Sequence, residues 1–213
     1  RDLDLLGYGE NSPEAIGDTF RAICRQPVDD DGVAFDVDGL EAAPIREDIE
    51  YGGVRIRTQA IIDGARIPIQ VDVGFGDAIT PGPIEIDYPV LLDAPTPRVR
   101  AYPIETVVAE KFHALAPRGI PNSRLNAYYD LRLIAETFEL ESGPLAQAAR
   151  PTFARRATVL PQEKPTAFSE AYVETWGGQW RTFLTRERMA AAPEQLATVV
   201  ADLERFLLPL IEE

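Results

Sequence analysis

The sequence predicts an α+β protein, with a mixed sheet built in residues 1–101 and a helical region in residues 102–213. Three observations carry that expectation. Asp63-Gly64 is the preferred two-residue hairpin turn, and it is flanked by alternating runs from Val54 to Ile62 and from Ala65 to Val73. From Pro103 onward apolar residues recur at helical spacing, with no further strand pattern. Strands first and helices afterwards indicate α+β and not a doubly wound parallel sheet.

The elements follow in chain order. Arg1-Asp2-Leu3-Asp4-Leu5 reads as a strand, so Asp2 and Asp4 share one face while Leu3 and Leu5 point to the other. Ser12 as N-cap and Pro13 at the first helical position start a helix that runs to about Gln26, before Pro27. Val33 to Val37 alternates like a strand after the Asp29-Asp30-Asp31-Gly32 turn. Closing the hairpin at Asp63-Gly64 pairs Ile62 with Ala65, Ala60 with Ile67, Thr58 with Ile69, Ile56 with Val71 and Val54 with Val73, which makes one face apolar. The other face sets Arg57 across from Gln70 and Arg55 across from Asp72. Tyr88 to Leu92 and Val99 to Ala101 are further strand candidates. Helices are expected over about 103–116, 124–139, 144–155, 166–185 and 193–210, with joints at Asn122-Ser123 and Pro161 to Pro165.

Composition narrows the functional classes. With 35 Asp and Glu against 21 Lys and Arg, the net charge is −14, which opposes indiscriminate nucleic-acid binding. Nucleic acid must then be met locally, at basic spots such as Arg55, Arg57, Arg66, Arg98, Arg100, Arg118 and Arg124. An acidic surface also suits a basic protein partner. No apolar run is long enough to span a membrane and nothing reads as a signal peptide, so the expected location is cytoplasmic. The single cysteine, Cys24, excludes an internal disulfide and is expected to be a small buried hydrophobe. The chain opens inside a strand, so a preceding N-terminal portion is expected.

A few polar groups stand where periodicity asks for apolar ones. Lys111 falls near the centre of the stripe formed by Ile104, Val107, Val108, Phe112 and Leu115, and Asp130 lies next to Ile134, away from the wet face of its own helix. The two are expected either to pair with each other or to serve a site in which Lys111 grips a phosphate oxygen. His113, the only histidine, is expected on the solvated face. Asp72 is expected either as an exposed cross-strand partner of Arg55 or as a third carboxylate beside Asp2 and Asp4. Three such carboxylates could hold two magnesium ions and leave positions for a triphosphate.

The motifs Asp2-Leu3-Asp4-Leu5-Leu6-Gly7, Gln70-Val71-Asp72-Val73-Gly74, Glu105-Thr106-Val107-Val108-Ala109-Glu110-Lys111-Phe112 and Ser123-Arg124-Leu125-Asn126-Ala127-Tyr128-Tyr129-Asp130-Leu131 together resemble the AbiEii/AbiGii nucleotidyltransferase toxins. Their order and spacing cover about residues 1–140, which leaves the later helices as the family's variable C-terminal part. The resemblance implies a DNA polymerase β-like nucleotidyltransferase fold, Mg2+ (or Mn2+), a nucleoside triphosphate donor, and an acceptor that is RNA, tRNA included, or a protein. It further implies a bacterial type IV toxin–antitoxin or phage-abortive role with an antitoxin partner. By position, Asp2 and Asp4 match the metal pair, Lys111 the motif lysine, and Arg124 with Asp130 the last motif, while Asp72 is assigned as the third carboxylate. The family's Gly-Ser phosphate loop precedes the Asp-x-Asp strand and is not in this chain, and Asn126-Ala127 stands where Lys-Asp is often found. The contrasting expectation is a non-catalytic protein of the same fold that binds an antitoxin-like partner.

Overall fold

The computed structural model describes residues 3–28, 31–45, 52–91, 95–189 and 191–212. The chain divides into two compact units, Arg1–Asp77 and Ala78–Glu213. Asp2 and the acidic stretch at 46–50 lie outside the described residues.

The first unit contains β1 (Leu3–Gly7), α1 (Pro13–Cys24), β2 (Val33–Phe35), β3 (Glu41–Pro44), β4 (Val54–Ile62) and β5 (Ala65–Phe75). Its sheet runs β1-β5-β4-β2, with β3 also paired to β4. It is mixed, because β1 lies parallel to β5 while β4 is antiparallel to β5, β2 and β3. The hairpin closes at Asp63-Gly64 in the expected register along its whole length, Val54↔Val73 to Ile62↔Ala65. Both turn residues take positive φ, 47° at Asp63 and 81° at Gly64, as this turn requires.

Register decides what is buried. Val54, Ile56, Val71 and Val73 form the core of this unit with Leu40, and Ile16, Phe20 and Cys24 of α1 pack against them. The Ser12 hydroxyl accepts from Ala15 N at 3.2 Å and fixes the start of α1. Cys24 is half-buried at the helix end, and burial pushes its thiol pKa up. The apolar face opens toward the turn, where Ile62 and Ile67 are exposed. β3 has no counterpart in the sequence reading: Glu-Ala-Ala-Pro offers no β-branched residue, and only its pairing with β4 makes it a strand.

The second unit begins with a hairpin of β6 (Ile84–Asp87) and β7 (Arg98–Ala101). Tyr88 to Leu91 is not a strand. The chain leaves the ladder there, with Tyr88 N donating to Pro97 O at 2.8 Å, and the apolar side chains of Tyr88, Val90 and Leu91 are exposed. Six α-helices follow among the described residues: α2 (Ile104–Leu115), α3 (Leu125–Thr137), α4 (Ser142–Arg155), α5 (Glu170–Glu187), α6 (Leu196–Leu207) and the short α7 (Pro209–Glu212). Their core is rich in large side chains, among them Phe112, Tyr128, Phe153, Phe168, Tyr172, Trp180 and Leu203, all fully buried. Polar tips inside it are satisfied: Tyr128 Oη donates to Ala167 O at 2.8 Å and Trp180 Nε1 to Pro193 O at 2.9 Å. Asn122, expected at a joint, is instead a buried corner of this unit. Its Nδ2 donates to Ala114 O at 2.9 Å, and its carbonyl accepts from Tyr172 Oη at 2.9 Å.

Candidate functional site

In the first unit, parallel pairing sets Leu3 beside Val71, Asp4 beside Asp72 and Leu5 beside Val73. Partners in a parallel register present side chains to the same face, so Asp4 and Asp72 share the polar face while Leu3 and Leu5 follow the core valines. Both leucines are still 40–50 % exposed, as suits an edge strand: Leu3 48 %, Leu5 41 %. Two carboxylates side by side supply hard oxygen donors, and magnesium is commonly held by one or two carboxylates with substrate phosphates completing its shell. Among the described residues no group of three or more His, Cys, Asp or Glu is placed to hold a metal, and Asp2, the expected further ligand, lies outside them.

Asp72 is not an exposed partner. Its side chain is only 15 % accessible, and Arg55 grips it in a fork, with Nε to Oδ1 at 2.7 Å and a terminal nitrogen to Oδ2 at 2.5 Å. That hydrogen bonding holds the Asp72 carboxyl below its ordinary pKa. Burial opposes it, while the charges of Arg55 and Arg57 add to it. The carboxylate is therefore kept ionised in the form a cation requires.

In the second unit, Lys111 Nζ lies 2.7 Å from Asp130 Oδ2. The pairing reading of these two residues is the one the geometry displays. Lys111 is not at the centre of the buried stripe. The fully buried side of α2 is Thr106, Val108, Ala109, Phe112 and Leu115, rotated from the expected stripe toward α4, whose Ala148 and Ala149 pack on Ala109; Thr106 Oγ1 bonds both N and O of Thr80 at 3.0 Å. Lys111 stands at the margin with its side chain 30 % accessible, and Asp130 is similar at 37 %. Arg124 is exposed at the N-terminus of α3, where its backbone N donates to Asn122 Oδ1 at 3.1 Å. Asn122 is thus a positioning residue for the last motif. Its burial had no signal in the sequence, where Asn before Ser reads as a loop.

His113 departs from the solvated face expected of it. Helix α4 covers that side of α2: the ring meets Phe153 edge-on at 4.9 Å, and Nε2 is 2.9 Å from Thr158 Oγ1. Burial, reinforced by the charges of Arg156, Arg118 and Arg124, lowers its pKa to about 4, so it is neutral at pH 7. Glu110, on the same helix, pairs with Arg156 at 3.2 Å.

No helix among the described residues is long and apolar enough to cross a membrane. No curated protein and no solved structure matches the chain. A family model does, described as "Nucleotidyl transferase AbiEii toxin, Type IV TA system", over residues 1–202. The match runs well past residue 140, so the later helices, expected to be variable, also fall within the family pattern. A mixed sheet followed by helices agrees with the nucleotidyltransferase-like arrangement that the four motifs imply, and the chain belongs to the AbiEii nucleotidyl transferase toxin family of type IV toxin–antitoxin systems.

Proposed function

We propose that this protein is a magnesium- or manganese-dependent nucleotidyltransferase, a bacterial cytoplasmic toxin restrained by an antitoxin. In this reading it moves a nucleoside monophosphate from a triphosphate to an RNA hydroxyl, the tRNA 3′ end included, or to a protein hydroxyl. The observation that carries this reading is the register that sets Asp4 beside Asp72 in a chain of this family. Asp4 and Asp72, with Asp2, are the residues to hold the cation, which when bound supplies charge neutralisation on the α-phosphate and on the departing pyrophosphate. Arg55 keeps Asp72 ionised and oriented for that task. Lys111 and Arg124 neutralise phosphate charge, and Asp130 orients Lys111 or the nucleophile. The acceptor oxygen forms a bond to the α-phosphorus as the bond to the bridging oxygen breaks. The hydroxyl proton passes to solvent water and pyrophosphate leaves.

The Arg55 fork also favours a second reading, a protein of this fold that binds its partner without turnover, because the carboxylate it occupies is the one assigned to the metal. Incubating the purified protein with α-labelled nucleoside triphosphates, magnesium and total RNA separates the two. Labelled RNA or protein supports transfer, and Asp4→Asn abolishes it without changing the melting temperature. Near wild-type labelling by Asp4→Asn removes the metal role. Saturable magnesium and nucleotide binding by calorimetry, with no label transferred, selects the second reading.

A further inference from the structure

One polar row crosses β1, β5, β4 and β3. Asp4 stands beside Asp72, Asp72 opposite Arg55, and Arg55 opposite Ala43. Partners in register share a face, so the row reads carboxylate, carboxylate, guanidinium, methyl. On one side of Arg55, Asp72 takes both arms of its fork, Nε to Oδ1 and a terminal nitrogen to Oδ2. On the other side Ala43 is exposed and sets only a methyl group against the arginine stem. One diagonal step along β3 stands Glu41, the register partner of Arg57. Diagonal neighbours are roughly 7–8 Å apart, which a long side chain spans. Glu41 is exposed, and its carboxylate makes no ion pair among the described residues.

The fork and a divalent cation compete for Asp72. A carboxylate that gives both oxygens to a guanidinium is a poorer ligand, because the fork draws on the charge that the cation needs. A guanidinium held that close also repels a doubly charged ion. The repulsion is little screened where water is largely excluded, as around the Asp72 side chain at 15 % accessibility. Binding a cation therefore requires the guanidinium to withdraw. A withdrawn guanidinium gains from a new anion, and Glu41 lies within its reach on the side away from Asp4.

Resting on the transferase reading above, we propose that Arg55 is a positioning residue with two seats: it holds Asp72 until a cation takes that carboxylate, and then rests on Glu41. The exchange sets how readily the metal site fills. A bare ion must displace the fork with the strand carboxylates alone, whereas an ion carrying a triphosphate brings oxygen ligands of its own. Arg55 thus makes the carboxylate pair respond to the nucleotide-bound ion in preference to the free one.

Manganese alone, followed in the intact protein by the paramagnetic resonance of the free ion and without nucleotide, reads the exchange apart from chemistry. Arg55→Met is expected to bind Mn2+ about tenfold more tightly than wild type, since the fork no longer has to be given up. Adding Asp72→Asn to Arg55→Met removes that gain. Arg55→Lys keeps the charge without the fork, so it holds the fold if Arg55→Met does not, and it binds Mn2+ several-fold more tightly than wild type. Glu41→Gln keeps the wild-type melting temperature, yet it weakens Mn2+ binding several-fold in wild type and leaves that of Arg55→Met unchanged. An arginine with a structural role alone gives equal or weaker Mn2+ binding in both Arg55 variants, and that result overturns the exchange. Glu41→Gln without effect in wild type overturns the second seat. Tighter Mn2+ binding by Arg55→Met in a protein that transfers no label leaves the exchange standing and the transferase reading fallen. Label transfer by wild type with Mn2+ affinity unchanged in both Arg55 variants does the reverse.

Discussion

Replacing Arg55 with methionine removes the fork on Asp72. The side chain keeps its apolar stem and loses two charge-assisted hydrogen bonds, at 2.7 and 2.5 Å. Hydrogen bonds to charged groups contribute about 1.5–3 kcal/mol each before discounting. With Arg55 30 % and Asp72 15 % accessible, water compensates part of the loss, and the expected cost is roughly 2–3 kcal/mol at pH 7. Both tryptophans, Trp176 and Trp180, lie in the second unit, so their fluorescence does not report on this change. Native-state hydrogen exchange at β5 amides does, because it reads opening of the strand itself. A cycle of Arg55→Met, Asp72→Asn and the double variant should give a coupling of about 1.5–2 kcal/mol. The acid limb carries a sign: Asp72's folded pKa is depressed, so its contribution is present above its unfolded pKa and is lost as pH falls through the folded value. Arg55→Met removes that acid loss. If Asp72 is a metal ligand, magnesium at ten times its Kd restores about 1.4 kcal/mol to Arg55→Met. A coupling below about 0.5 kcal/mol refutes the energetic role of the fork, and no recovery in magnesium refutes the ligand role.

Lys111→Met should cost the fold at most about 1 kcal/mol, since both members of its ion pair are about one-third accessible, yet it should reduce nucleotide transfer about a hundredfold. Urea melts beside the transfer assay check this, and equal small effects on both would leave Lys111 a structural residue. His113 is neutral in the folded state down to about pH 4, whereas in the unfolded chain it protonates near 6.5. Its contribution to stability is therefore complete above about 6.5 and is lost as pH falls toward 4, roughly 1–2 kcal/mol after allowing for partial exposure. Fluorescence-detected urea melts at pH 7 and 4.5 should show that loss in the wild type and a flatter slope in His113→Gln; identical slopes would contradict it.

What could be read ahead of the structure was local. The Asp63-Gly64 turn and strict alternation fixed the hairpin register residue by residue, and with it the opposition of Arg55 and Asp72. Ser12 and Pro13 announced α1 by cap chemistry that needs no tertiary partner. Readings failed where a neighbour decides. Glu41–Pro44 is a strand only because β4 offers it a ladder, and Tyr88 to Leu91 looks like a strand but has none to join. His113 looked wet because periodicity knows one helix at a time, whereas α4 lies over it. Lys111 stands at the margin of the buried face because α4 packs on the Ala109 side of α2, a contact between helices that periodicity within one does not hold. The parallel docking of β1 that gives Asp4 its neighbour is a contact between the ends of the unit, and no local pattern encodes it.

That docking also orders events in time. The β4–β5 hairpin is joined by two residues and closes in microseconds. β1 is made well before β5, its sole ladder partner among the described residues, and it must wait for the intervening strands to be synthesised before that partner exists. A nascent chain on the ribosome thus carries Asp4 long before Asp72. The two carboxylates come together only with the most distant pairing in the sheet, so the cell meets the finished pair no earlier than the finished fold.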